Sequence, residues 1–194
     1  MCWIEEEDRV ARIPTVTRES VPEDQRTTFD AFVQQRGSVP TLGPGSIMLN
    51  VPEVAKRGLE LARYLREDAS LSPRIRELAM LTTAREMDCQ FIWNAHAPLG
   101  RRTGLRAEIV DNLRDKKELT GLAPDEAAVV HYGREFFRTH HVSQATFDEA
   151  LAQFGVQGLT ELTNLMGCYA LLAFNVNAFG AELPTETTEK PLPI

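Results

Sequence analysis

At 194 residues, with 43% hydrophobic and 25% charged residues, the chain has the bulk for one full core and the composition of a globular domain. A net charge of −7, and no Lys/Arg cluster larger than short pairs such as Arg101-Arg102 and Lys116-Lys117, argue against a nucleic-acid partner. Three cysteines, Cys2, Cys89 and Cys168, are odd in number and far apart, which argues against a disulfide framework.

Residues 1–20 carry no clear periodicity and read as an N-terminal arm with Pro14 near its middle. The opening MCWIEEEDRV is acidic and lacks the apolar region of a secretory signal, so the cytoplasm is the expected compartment. Helical signals begin at VPEDQRTTFDAFVQQRG, where Pro22 and two acids suit the positive end of a helix and Gly37 its stop. SVPTLGPGS is loop chemistry that leads to Ser46 as a cap. Residues 52–66 read as a helix carrying Val54, Leu59, Leu61, Ala62 and Leu65. Ser72-Pro73 supplies an N-cap and a first-turn proline for the next helix, which runs to about Met87. Asp88 reads as the cap of a helix over residues 89–102, with Gly104 beyond its end and a kink or early stop expected at Pro98.

Shorter helices follow at 106–114 and 124–139, then one from Ser143 to Phe154. The last helix, about 158–179, has apolar residues on nearly every side, which predicts burial all round, in the core or against another subunit. Its most apolar part, 165–174, is about half the roughly 20 residues that a bilayer span requires, so no membrane helix is expected. The tail PTETTEKPLPI, within 184–194, reads as disordered or as an arm laid over a neighbour. No segment alternates with period two, and the expected fold is all-α, with a single domain over 21–183.

The chemistry concentrates in EMDCQFIWNAHAPLG. Steps of three, four and seven return to one helical face, so Cys89, Ile92, Trp93 and His96 share a stripe. Glu77, in RIRELAMLTTA on the preceding helix, is expected to face His96 across a short connection. An imidazole held by a carboxylate is a better base, and a thiol at a helix N-terminus has its thiolate favoured by the dipole. Trp93 would supply an apolar pocket wall. Each residue alone has an ordinary reading: a salt-bridged Glu, a core His, a small buried Cys, a core Trp. Their joint spacing carries the argument. His131, His140 and His141 fit helix surfaces and ends and are given no role. Metal-ligand spacing, a phosphate loop and a nucleophile elbow are all absent from the sequence.

The segment RELAMLTTAREMDCQFIWNAHAPLGRRTGL resembles the core of the carboxymuconolactone decarboxylase family, which also holds the AhpD-type alkylhydroperoxidases. The resemblance extends over about residues 11–185, through LNVPEVAKRGLELARYLRE before the core and LTELTNLMGCYALLAFNVNAFGAELP after it. It implies an AhpD-like helical bundle with one long buried C-terminal helix. In the redox branch a Glu precedes Cys-x-x-Cys, and a His follows four residues after the second Cys. Glu77, Cys89 and His96 match that pattern, but Ile92 stands where the second Cys would be. Without it no adjacent dithiol can cycle, although Cys168 is a distant alternative in principle.

The decarboxylase branch is therefore the better guide. It implies an enzyme without cofactor or metal that acts on a small unsaturated lactone or aromatic-pathway acid. His96, Glu77 and Cys89 are the expected catalytic residues; Trp93, Ile92 and Asn177 are expected at the substrate. The family also implies a homo-oligomer, a trimer or hexamer. Two rival expectations stand beside this one: a thiol peroxidase using Cys89 with an external thiol, and a non-catalytic oligomeric ligand-binding protein.

Overall fold

The computed structural model describes residues 12–194, so Cys2 and the first half of the expected arm lie outside the described residues. Among the described residues there are helices and no β-strand. A short 3-10 turn, Glu23–Gln25, leads into α1 (Arg26–Arg36), followed by α2 (Gly43–Met48), α3 (Pro52–Glu67) and α4 (Pro73–Glu86). After these come α5 (Gln90–Arg102), α6 (Ala107–Arg114), α7 (Pro124–Thr139) and α8 (Gln144–Phe179).

α4 is the central element, packed against α5, α6, α7 and α8. Its sequence explains why. From Leu78 to Arg85 every residue is buried, so the helix cannot lie at a surface. Ser72 caps it by accepting a hydrogen bond from the Ile75 amide at 3.4 Å, and Pro73 occupies the first turn, where its missing N–H leaves no partner unmet. α5 runs back along it. Gly100 makes that approach possible, because a Cβ there would stand 3.0 Å from both Leu81 and Leu105.

Several sequence expectations are corrected. Gly43 to Gly45, read as loop, belong to α2, and Ser46 is no cap: its buried hydroxyl donates to the Gly43 carbonyl at 2.7 Å. Pro44 is compatible with this because the first turn needs no N–H from it. Pro98 does not end α5, which continues to Arg102. Asp88 does not cap α5 with its side chain. Its carboxylate turns back to the fully buried Arg85 and to Lys116, its backbone takes φ 47°, and Cys89 occupies the cap position.

α8 contains the two expected helices run together, with the break at Gly155 (φ 63°, ψ −178°), a conformation open to glycine. It is long and apolar enough to cross a membrane by length and composition, yet Leu162, Leu165, Met166, Tyr169, Leu172, Ala173 and Val176 form the core of the bundle. Within one chain the helix is buried on part of its circumference only. Thr160, Asn164, Gly167, Leu171, Phe174 and Ala178 face outward, with Phe174 70% exposed. The chain ends are also more closely held than their composition suggests. Val16 is in the core, and the tail lies over its own α5: Leu192 is buried, its amide donates to Gln90, and Glu189 pairs with Arg101 at 3.1 Å.

A buried carboxylate fastens α8 to the turn before α4. Glu161 accepts from the Ser70 amide at 2.8 Å, from the Ser70 hydroxyl, and from Tyr64 and Gln157 at 3.2 Å. Burial pushes its pKa up, but the bonds from Ser70, Gln157 and Tyr64 outweigh burial and hold it below the ordinary 4.5. The folded state therefore binds this proton less readily than the unfolded chain. Its stabilisation is complete above the ordinary carboxylate range and fades as pH falls through the folded value. Glu161→Gln should melt roughly 2–4 °C below wild type at about pH 7, a loss of about 1 kcal/mol, and the gap should narrow at about pH 3.5. Thermal melts at the two pH values check this; a gap that widens on acidification would contradict it.

Candidate active site

The α4–α5 hairpin brings Glu77 and His96 together. His96 Nδ1 lies 2.9 Å from Glu77 Oε2, with the two side chains 12% and 13% exposed. The carboxylate fixes the tautomer: Nδ1–H donates to Glu77, and the Nε2 lone pair is left available. Among the described residues Nε2 has no hydrogen-bond partner. The Tyr169 ring on α8 meets the imidazole edge-on, with ring centroids 5.1 Å apart, and closes one side of the pair. Burial pushes the Tyr169 phenol up to about 12, although Arg66 beside it pulls the other way. At neutral pH Tyr169 is thus the neutral phenol, whose oxygen accepts from the Arg66 guanidinium.

Tyr169 and Arg66 were not anticipated at the site. Tyr169 is the one side chain with a polar tip among buried apolar neighbours in CYALLAF, which is the sequence signal for it; Arg66 carries no signal beyond its place near a helix end.

Three of the other expected residues are buried, and the fourth is engaged elsewhere. Cys89 is at the far end of α5 and wholly buried. Burial pushes its thiol pKa up, and the amides of Ile92 and Phe91, which pull it down, do not compensate. The expected dipole-stabilised thiolate is thus overridden by desolvation. Ile92 and Trp93 are 3% and 0% exposed, so in this structure they belong to the core and line no open pocket. The Trp93 indole N–H lacks an acceptor among the described residues. Asn177 lies eight positions beyond Tyr169 on α8, roughly 12 Å along the helix, and donates to the Met87 carbonyl at 2.8 Å. It satisfies the end of α4 rather than facing His96.

Cys89 and Cys168 are both free and buried, and burial also raises the Cys168 pKa. Among the described residues no group of three or more His, Cys, Asp or Glu is placed to hold a metal ion. What the arrangement can do is move a proton. A carboxylate-held imidazole in a largely dry setting, its Nε2 unpartnered among the described residues, has the groups that general acid–base chemistry requires.

Comparison with known proteins agrees with this architecture. Residues 52–135, which span α3 to most of α7 and include the pair, match the carboxymuconolactone decarboxylase family. No curated protein matches the chain in sequence. A peroxidase-related protein from Ralstonia eutropha, described as an alkylhydroperoxidase AhpD core, superposes with a TM-score of 0.67 at 16% identity, over 91% of this chain and 93% of its own. A peroxidase-related protein from a Silicibacter species gives a TM-score of 0.67 at 13% identity, over 93% and 94%. The debrominase Bmp8 in complex with 2,3,4-tribromopyrrole gives a TM-score of 0.62 at 13% identity, over 91% of each chain. At these identities the structural likeness establishes a shared fold.

Proposed function

The chain belongs to the carboxymuconolactone decarboxylase and AhpD-like superfamily, and from that premise we propose that it is a cofactor-independent acid–base enzyme. Its reaction in this reading is decarboxylation of a small unsaturated lactone acid or a related aromatic-pathway acid. The single observation that carries the reading is the 2.9 Å Glu77–His96 pair with Nε2 free, on a chain where Ile92 removes the possibility of an adjacent dithiol.

The chemistry needs little else. The bond between the ring carbon and its carboxylate breaks and carbon dioxide leaves. The electron pair passes into the conjugated lactone carbonyl as a dienolate, and protonated His96 returns a proton to carbon. Glu77 orients the ring and offsets its positive charge while it holds that proton. Tyr169 limits water on one side of the imidazole. Incubating the protein with a panel of unsaturated lactone acids and β-keto acids tests the proposal. The expected result is carbon dioxide release with loss of the conjugated chromophore. No turnover across the panel, with the protein folded, would leave the scaffold as a binding protein.

The assembly belongs to the same proposal. Positions 160, 164, 167, 171, 174 and 178 repeat at alternating steps of four and three, the spacing of a helix seam, and all six face outward. We infer that a second copy covers this seam in a homo-oligomer, a trimer or hexamer by family likeness. The free thiols of Cys89 and Cys168 fit a reducing compartment such as the cytoplasm. Phe174→Glu should convert an assembly into a species near the 21.7 kDa of one chain, read by light scattering after size exclusion. A wild-type protein already at that mass would remove the inference.

A further inference from the structure

A cleft of about 560 Å3 lies between α1 and α3, within the roughly 300–1,000 Å3 usual for small-ligand sites. Neither Glu77 nor His96 lines it. Its apolar surface comes from Ala31, Phe32 and Leu59, and its charged rim is uneven: Arg36, Lys56, Arg63 and Arg66 against Glu60 and Glu67. That is an excess of two positive charges in a chain whose net charge is −7. Arg63 is loosely engaged, 4.0 Å from both Glu67 and Asp68. Arg66 differs. It is half-buried and hydrogen-bonds the Tyr169 hydroxyl, but among the described residues it has no carboxylate within ion-pair distance. A neutral phenol leaves the charge of a partly desolvated guanidinium uncompensated, and an anion is the partner that offsets it.

We propose that the α1–α3 cleft binds a small organic acid, its apolar body against Phe32 and Leu59 and its carboxylate held by Arg66. A guanidinium offers two parallel N–H donors to a carboxylate, which suits this acid better than a neutral ligand of the same shape. Arg66 also lies beside the Tyr169 hydroxyl, and the Tyr169 ring abuts His96, so the anion site and the acid–base pair share a wall. That the bound acid is the substrate rests on the acid–base reading above; that the cleft binds an acid does not.

Calorimetric titration with benzoate, and with benzamide as its neutral counterpart, tests the site in the wild-type protein and in Arg66→Gln, Ala31→Trp and His96→Gln. Benzoate should bind wild type in the millimolar range or tighter and benzamide at least about tenfold more weakly. Arg66→Gln should lose at least about tenfold in benzoate affinity. Ala31→Trp, which fills the cleft from the α1 wall and leaves Arg66 in the sequence, should abolish binding and guards against a misfolded Arg66 variant. His96→Gln should bind benzoate as wild type does. If it also loses turnover, both readings stand; if it keeps turnover, the acid–base reading fails and the anion site remains. Benzoate binding unchanged in Arg66→Gln or in Ala31→Trp, benzamide binding as tightly as benzoate, or no benzoate binding to wild type overturns the proposal.

Discussion

Replacing His96 by Gln is expected to lower turnover by on the order of 10²–10⁴-fold, the usual worth of a positioned general acid–base, while the protein stays folded. The argument is geometric. Nε2 of His96 is the nitrogen left without a partner among the described residues once Nδ1–H is committed to Glu77, and a glutamine amide cannot take and return a proton at neutral pH. Glu77→Gln should fall by about 10²-fold or more for a different reason. The amide keeps the volume but loses the charge that offsets the imidazolium, and it can present either oxygen or NH2 to Nδ1, so the tautomer is no longer fixed.

Both side chains are 12–13% exposed and the substitutions conserve shape, so the structural cost is that of one charge-assisted hydrogen bond, about 1–3 kcal/mol. Initial rates on an active lactone or keto acid, measured beside thermal melts, separate the two effects. Because the residues act as one unit, the double variant should be scarcely worse than His96→Gln alone. Full activity in both single variants would remove the acid–base assignment outright.

How much of this was legible in the sequence follows from which forces local patterns encode. Helix starts and stops were read well where backbone chemistry decides them: Ser72-Pro73 opening α4, residues 124–139 as α7, and a break near Gly155. The Glu77–His96 contact was legible because a hairpin of two helices joined by three residues fixes which faces meet. Burial decided what was misread. A stripe of Cys89, Ile92 and Trp93 has the same spacing whether it lines a pocket or fills a core, and here it fills the core. Pro44 and Pro98 suggested breaks that the surrounding helices tolerate, since one sits in a first turn and the other costs a single backbone bond. The tail's polar composition concealed Leu192, whose burial depends on a partner 102 positions away in Gln90. Arg66 beside Tyr169, across α3 and α8, is likewise a long-range contact that no window of sequence contains.

The second large effect concerns Cys89, the residue on which a thiol peroxidase would depend. Thiolate is the reacting form, and two features of the fold suppress it: the side chain has no exposed surface, and burial raises the pKa beyond what the Ile92 and Phe91 amides recover. Reaction with peroxide or iodoacetamide then requires the α4–α5 end of the bundle to open. Global stability of a domain is about 5–15 kcal/mol, so native-state labelling of Cys89 should run at least 10³-fold slower than a free thiol, on the order set by that opening. A Cys2→Ser, Cys168→Ser background isolates the signal, since Cys2 lies outside the described residues and Cys168 is itself 8% exposed. Labelling followed by mass spectrometry across a denaturant series should rise in step with unfolding. Cys89→Ser should leave turnover of a lactone acid within about twofold, because the thiol lies seven residues from His96, roughly 10 Å along the helix. Rapid native labelling together with sulfenate formation under mild peroxide would reverse the assignment: the thiol would then be the working group, and the imidazole two turns further along α5 would be its helper rather than the catalyst.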